Sequence, residues 1–329
     1  MFSYLKRIFQ RPLVRALFSG VVLAILIAHL PLSDLWETIK KISLQVWLLA
    51  ACAFAAGHVL GALKWRILID SEESRLPLIE TFRCYFAGLF ANLFLPSLVG
   101  GDIVRAALAI RLKARKEGVI VGSLLDRGID VGSLVLILFS GTLLFPGGVS
   151  ATTYRILLTI SLLALLSLVG LIILLIVPLG GRLQKWLGGT INYLRETVRT
   201  PIKGLPRVMW AAAISLIVQT WFAFLFSLLG AKVHVELALP VWFIVWPTAK
   251  LSAMLPLSLG GLGVREAVLA VLLGQFGVTA AKSVGLGLVW ESIVFATSGL
   301  GGIFYLLSSR ELKRLSASSQ KRTRPVAEL

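Results

Sequence analysis

Runs of about twenty apolar residues, separated by short polar or basic segments, recur along the whole chain. A helix needs about 20 such residues to cross a hydrocarbon core of about 30 Å, so the pattern predicts a polytopic helical membrane protein. Full spans are predicted near residues 13–30, 45–63, 119–145, 155–178, 208–230 and 283–307. The first follows a basic start, as in a signal peptide, but it is too long for an ordinary h-region and no small-residue cleavage pattern follows. It reads as an uncleaved span. Two further apolar stretches, 78–110 and 239–276, are each interrupted by Pro and paired Gly. Each is expected to form either two short membrane helices or a re-entrant hairpin. The expected fold class is all-α, a single integral membrane domain over residues 1–310 with repeat halves of about 45–178 and 208–307. The basic, polar tail at 311–329 is expected to be cytoplasmic and disordered.

Composition narrows the function classes. The chain is 57% apolar and 15% charged, with a mean hydropathy of +0.88. Soluble domains run near 45–50% apolar and about 25% charged, so a soluble enzyme, a secreted disulfide scaffold and a DNA-binding domain are excluded. Cys52 and Cys84 lack CxxC spacing, and His29, His58 and His234 form no ligand pattern, so no metal or cofactor is expected.

The net charge of +17 matters through its distribution. Placing both termini in the cytoplasm puts 23 of the 33 Lys and Arg residues in inside segments: the N-terminal tail, 64–75, 111–116, 182–207 and the tail from Arg310. Outside segments then hold only Lys40, Lys41, Arg155, Lys232 and Lys282. That bias sets the expected orientation in a bacterial cytoplasmic membrane. Five basic residues remain within or against membrane segments: Arg83, Arg105, Arg127, Lys250 and Arg265.

Two of those five sit in an internal repeat. FLPSLVGGDIVRAA at 94–107 aligns without a gap on MLPLSLGGLGVREA at 254–267, an offset of 160 residues. Seven of the fourteen positions are identical, where roughly one or two are expected from composition. The orientation places the two copies on opposite faces, as in the inverted-topology repeats of transporters. A duplication retained only for fold would leave the same trace. Pro96 and Pro256 cannot continue a helical hydrogen-bond ladder. Gly100, Gly101, Gly260 and Gly261 permit tight turns and leave N–H groups free at the start of the next helix. Such helix starts attract anions, and Arg105 and Arg265 lie about one turn further on, which together suits a phosphate or another anionic head group. The alternative is that the glycines serve close packing and each Arg snorkels to its interface.

Further charges lie inside predicted spans. Asp126 and Asp130 are four apart and share a helix face, while Arg127 points away from it. A charge near the bilayer interior costs roughly 2.5–3.5 kcal/mol and requires a partner or a wet cavity. Asp102, one turn before Arg105, is a candidate partner for it. Glu291 requires a cation such as Arg105, Arg265 or Lys250, and Glu266 is expected to face away from its neighbour Arg265. These groups read equally as structural ion pairs or as a polar translocation cavity with a protonatable acid. His58 and Asn92 are expected to make helix-packing hydrogen bonds. Trp36, Trp47, Trp65, Trp186, Trp210, Trp242 and Trp246 are expected to anchor span ends at the interface.

The segments NLFLPSLVGGDIVRA, LLDRGID and SLGGLGVREA resemble one family, the membrane domain of lysylphosphatidylglycerol synthases (multiple peptide resistance factor). The family includes stand-alone flippase-like proteins, and the resemblance covers roughly residues 10–310. It implies a lipid flippase; relatives are associated with aminoacylated phosphatidylglycerol, hopanoids, cardiolipin and polyprenyl-linked sugars. Carried over by motif, it points to Asp102, Arg105, Asp126, Arg127, Arg265 and Glu266. The full synthases continue into a cytosolic aminoacyl-transferase domain, whereas this sequence stops soon after its last apolar run, so lysyl transfer is not expected.

The expectation is therefore a non-enzymatic transporter of an anionic phospholipid or lipid-linked precursor. Arg105, Arg265, Asp102, Glu266 and the four paired glycines would form the substrate site. Asp126, Arg127, Asp130, Glu291 and Lys250 would couple charge to movement. The expected partners are the lipid substrate, surrounding membrane lipids and a lipid-synthesis enzyme, with no nucleic acid. An accessory membrane protein of envelope biosynthesis and a head-group transferase are the alternatives.

Overall fold

The computed structural model describes residues 12–322 except 71–74, 96–97, 113, 115, 146–149, 177–203, 256–257 and 259. Pro96, Pro256, Trp186 and most of the basic segment 182–207 lie outside the described residues. Eleven helices and no strands are found among the described residues. They are α1 (Pro12–Ala28), α2 (Leu32–Lys40), α3 (Leu44–Ile69), α4 (Leu78–Asn92), α5 (Leu98–Arg111) and α6 (Lys116–Leu144). The remainder are α7 (Ala151–Ile176), α8 (Gly204–Lys232), α9 (Leu239–Ala253), α10 (Val264–Gly274) and α11 (Ala280–Arg322). In lipid a helix satisfies its backbone groups internally, so long apolar runs resolve into helices.

Among the described residues four helices are long and apolar enough to cross a membrane: Leu44–Ile69, Lys116–Leu144, Pro206–Lys232 and Ala280–Leu307. The expected first span departs from a straight helix. α1 stops at Ala28, the chain turns at Pro31, and α2 leaves at 103° to it, its Thr38 packing on Gly285 of α11. Counting that bent pair gives up to five such spans among the described residues. The expected span at 155–178 corresponds to α7, whose last side chains lie outside the described residues. α11 continues past its apolar part to Arg322, so the tail expected to be disordered begins as helix. Glu311, Leu312, Lys313, Arg314 and Leu315 are strong helix formers, which carries the helix onward.

Both interrupted stretches form pairs of short helices, α4 with α5 and α9 with α10, each pair packed leg against leg. A helix of 15 residues rises about 22 Å, short of the hydrocarbon core. In the first pair the legs meet backbone to backbone: a Cβ on Gly101 would lie 2.2 Å from the Gly88 carbonyl oxygen. The sequence places Gly100 and Gly101 in a turn, but both lie inside the first turns of α5, where Gly101 makes this close approach and a Cβ on Gly100 would meet the Leu95 side chain. Gly260 (φ 60°) and Gly261 (φ 89°) do sit in the turn before α10, in a conformation that side chains rarely adopt.

The order long, short, short, long occurs twice, as α3–α6 and as α8–α11, again offset by about 160 residues. The helix pairings survive exchange of the two sets. α4 packs on α11 as α9 packs on α6, and α3 packs on α6 as α8 packs on α11. Gly141 of α6 receives Phe243 and Gly301 of α11 receives Phe86, and these two glycines are themselves 160 apart. The corresponding helices α3 and α8 cross antiparallel, with Ala53 against Trp221 and Asp70 against Arg207.

Helix ends sort to two sides. Asp70, Gly118 and Arg207 lie together at one, and Phe145, Ser150, Gln275 and Phe276 at the other. Between them lies an aromatic core of Phe54, Phe222, Phe226, Trp242, Trp246 and Trp290. Trp65, Trp242 and Trp246 are therefore buried rather than interfacial, because the apolar runs they occupy face other helices; Trp36 and Trp210 are exposed as expected.

Candidate functional site

The intramembrane charges gather into two clusters beside one cavity. The first joins α3, α5, α6 and α8. Arg105 is buried, donates to Asp126 Oδ2 at 2.6 Å and lies 3.1 Å from Asp102. Arg127 lies 3.0 Å from the other Asp102 oxygen. Lys64 stands 2.9 Å from Asp126 and 2.5 Å from Asp130. Asp130 accepts further hydrogen bonds from Ser215 (2.6 Å) and the Gln219 amide (3.4 Å). The other end of that amide, Gln219 Oε1, accepts from Lys250 Nζ at 2.9 Å. The Arg105 guanidinium also lies 5.1 Å from the Trp65 ring centre and 5.3 Å from that of Tyr85. These are cation–π distances that add to its fixation.

Four elements position this cluster. Asp126 and Asp130 project from one face of α6 as their spacing requires. Arg127 turns toward α5 instead. Arg105 reaches α6 from the second leg of the first hairpin, whose start is capped by Asn92 Oδ1 accepting the Gly101 N–H at 2.7 Å. Lys64 comes from the last turns of α3.

The second cluster lies at the start of α10. Glu266 is fully buried and accepts the Gly263 N–H at 2.6 Å. Arg265 donates to Glu266 Oε1 from Nε (3.1 Å) and Nη2 (2.8 Å), and its Nη2 also donates to Glu291 of α11. Sequence spacing set Arg265 and Glu266 on diverging faces, and the structure corrects that. Side chains of a first helical turn lean toward the N-terminus, so both long chains fold back to the same point.

Between the clusters lies a cavity of about 360 Å³. Both hairpins border it, through Leu89, Asn92 and Leu93 on one side and Gly260, Leu262 and Arg265 on the other. Phe54, Phe222, Trp246 and Trp290 supply an aromatic wall, and His58, Lys250 and Glu291 add polar groups. His58 also sits 3.3 Å from the Tyr85 hydroxyl. Arg105, Asp102, Asp126, Arg127 and Asp130 are not part of the cavity lining; they form the adjoining ionic wall. The paired Gly100 and Gly101 lie inside α5, away from the lining, whereas Gly260 borders it directly.

Residues 13–302 match the family described as lysylphosphatidylglycerol synthase TM region. The chain belongs to that family. No curated protein matches the chain, and no solved structure does. Family membership makes it a membrane protein of a lipid-biosynthesis family.

Of the motif residues of the lysylphosphatidylglycerol synthase membrane region, Asp102, Arg105, Asp126 and Arg127 meet in one cluster and Arg265 and Glu266 in the other. The charge distribution places Lys64 in the cytoplasmic basic segment 64–75, and the structure corrects that. Lys64 is buried and paired twice. The signal was present: Lys64, Trp65 and Arg66 are followed by the apolar run ILI at 67–69, so the helix continues past them. Ser215 and Gln219 carried no such signal in an otherwise apolar span.

Proposed function

We propose that this protein moves a phosphate-bearing lipid, an anionic phospholipid or a lipid-linked precursor, across the bacterial cytoplasmic membrane, with both termini in the cytoplasm. The carrying observation is the amphipathic cavity bordered by both hairpins, with aromatic walls and charged groups at membrane depth. A site of about 300–1,000 Å³ with mostly apolar lining and few convergent polar groups is the form of a small-molecule pocket. Intramembrane charges beside such a cavity mark a substrate path.

The paired halves supply a route to alternating access. α3 and α8 cross antiparallel, the helix pairings are exchanged between halves, and the cavity sits where the hairpins approach. Rocking one half against the other would open that cavity to either face in turn, as in inverted-repeat transporters. The ionic clusters hold each hairpin to the long helix that follows it: Arg105 to Asp126 of α6, and Arg265 to Glu291 of α11. In this reading the two arginines keep each hairpin moving as one body with its half. The protein needs no chemical step and acts as a carrier rather than an enzyme.

The test is reconstitution of purified protein into vesicles containing a fluorescent phosphatidylglycerol, with chemical quenching of the outer leaflet. Protein-containing vesicles are expected to lose more fluorescence than empty ones. Equal loss in both would refute transport of that lipid.

A further inference from the structure

Charge accounting around the cavity separates one cation from the rest. Arg105 stands against two carboxylates, Lys64 against two, and Arg127 against one. Arg265 is shared by Glu266 and Glu291, which leaves that end of the cavity with a surplus of negative charge. Lys250 has no carboxylate within ion-pair distance among the described residues. Its Nζ donates to the neutral Gln219 Oε1 and lies 5.1 Å from the Phe222 ring centre and 5.4 Å from that of Trp246. An ammonium held among apolar walls calls for an anion, and an ammonium has three donors, of which Gln219 takes one.

A second, independent group points to the same place. Trp246 is four residues before Lys250 and so shares its face of α9. It is 4% exposed, lines the cavity, and its Nε1–H has no hydrogen-bond partner among the described residues. Buried indole N–H groups ordinarily find an acceptor. Two donors without an anionic acceptor therefore border one cavity, whereas Arg105, Arg127 and Arg265 each stand within ion-pair distance of a carboxylate.

The geometry points to Lys250 and the Trp246 indole N–H as the seat for the phosphate of a glycerophospholipid, with the lipid's apolar part lying along Phe54, Phe222 and Trp290. This deepens the transport reading and rests on it. The aromatic wall favours a lipid phosphate over a free one, since free phosphate would leave most of the lining without a partner. Arg105 and Arg265 become positioning residues for the hairpins rather than ligands.

The experiment is a competition read by native mass spectrometry on the purified protein. Phosphatidylglycerol is offered against diacylglycerol with the same acyl chains, which lacks the phosphate. Wild type is expected to retain phosphatidylglycerol at least about tenfold over diacylglycerol, the size of one charge-assisted hydrogen bond. Lys250→Met and Trp246→Phe are each expected to reduce that ratio several-fold, and Lys250→Arg to preserve it. If Lys250→Met does not fold, Trp246→Phe, which keeps an aromatic ring, decides. A wild-type preference left intact in folded Lys250→Met or Trp246→Phe protein overturns the seat and leaves the transport reading standing. Wild type that retains neither lipid removes both. Displacement of phosphatidylglycerol by millimolar inorganic phosphate assigns the seat to a free anion and overturns the lipid part.

Discussion

Replacing Asp126 by Asn removes one carboxylate from between two buried cations. Asp126 is 2% exposed, accepts from Arg105 at 2.6 Å and stands 2.9 Å from Lys64. After the change, Lys64 retains Asp130 and Arg105 retains Asp102. Neither cation is stranded, but Lys64, Arg105 and Arg127 then share only two carboxylates. Breaking a buried pair by removing one partner costs about 3–5 kcal/mol. The retained partners put this case near the lower end, about 3 kcal/mol. For a chain of 329 residues that corresponds to a fall in thermal midpoint of roughly 4 °C. The assay is thermal denaturation of purified protein in lipid nanodiscs at one fixed scan rate, because unfolding of such proteins is governed by rate. A second arm tests the cause. Adding Lys64→Met restores the balance of charge, so the double variant should be more stable than the sum of the single effects by about 0.5–3 kcal/mol. A midpoint within 1–2 °C of wild type for Asp126→Asn, or strict additivity in the double variant, would show that the ionic cluster does not hold these helices together.

Three further outcomes follow from the geometry. Gly101→Ala would place a Cβ 2.2 Å from the Gly88 carbonyl oxygen and 2.5 Å from Asn92 Oδ1. Overpacking of this kind costs about 1–3 kcal/mol, and a thermal midpoint equal to wild type would contradict backbone contact between the hairpin legs. Asn92→Ala removes the acceptor for the Gly101 N–H and should destabilise by about 1 kcal/mol, as loss of a helix cap does; hydrogen exchange at the start of α5 should rise, and unchanged exchange counts against the cap. Glu291→Gln removes one negative charge beside Arg265 in the cavity wall. It should increase the phosphatidylglycerol that co-purifies with the protein, and quantitative lipid extraction showing a decrease would contradict the negative surplus at that end.

The membrane class, both interrupted hairpins and the family were legible in the chain because each rests on local information: run length, Pro and Gly breaks, and a motif repeated at one offset. Asp126, Asp130 and Glu291 were equally visible, since ionised groups in apolar runs stand out. The bend after α1 was not, because Pro31 ends a helix without stating the direction in which the chain continues. Lys64 was misplaced because a basic residue near a span end reads as a boundary marker, whereas here the helix continues and buries it. The pattern reads Gly100 and Gly101 as a turn, whereas packing places both in a helix and makes Gly101 the contact with the facing leg.

The residue types and their order fix that this chain builds membrane helices carrying charged groups that must find partners, among them Asp102, Arg105, Asp126, Arg127, Asp130, Lys250, Arg265, Glu266 and Glu291. Many pairings of those groups satisfy the sequence equally. Only the tertiary arrangement chose among them, bringing α3, α5, α6 and α8 together around Asp126 and Asp130 while leaving Lys250 beside a neutral amide. The reason is range. Coulomb and hydrogen-bond energies at membrane depth depend on separations of a few ångströms between helices distant in the chain, and no local pattern encodes those separations.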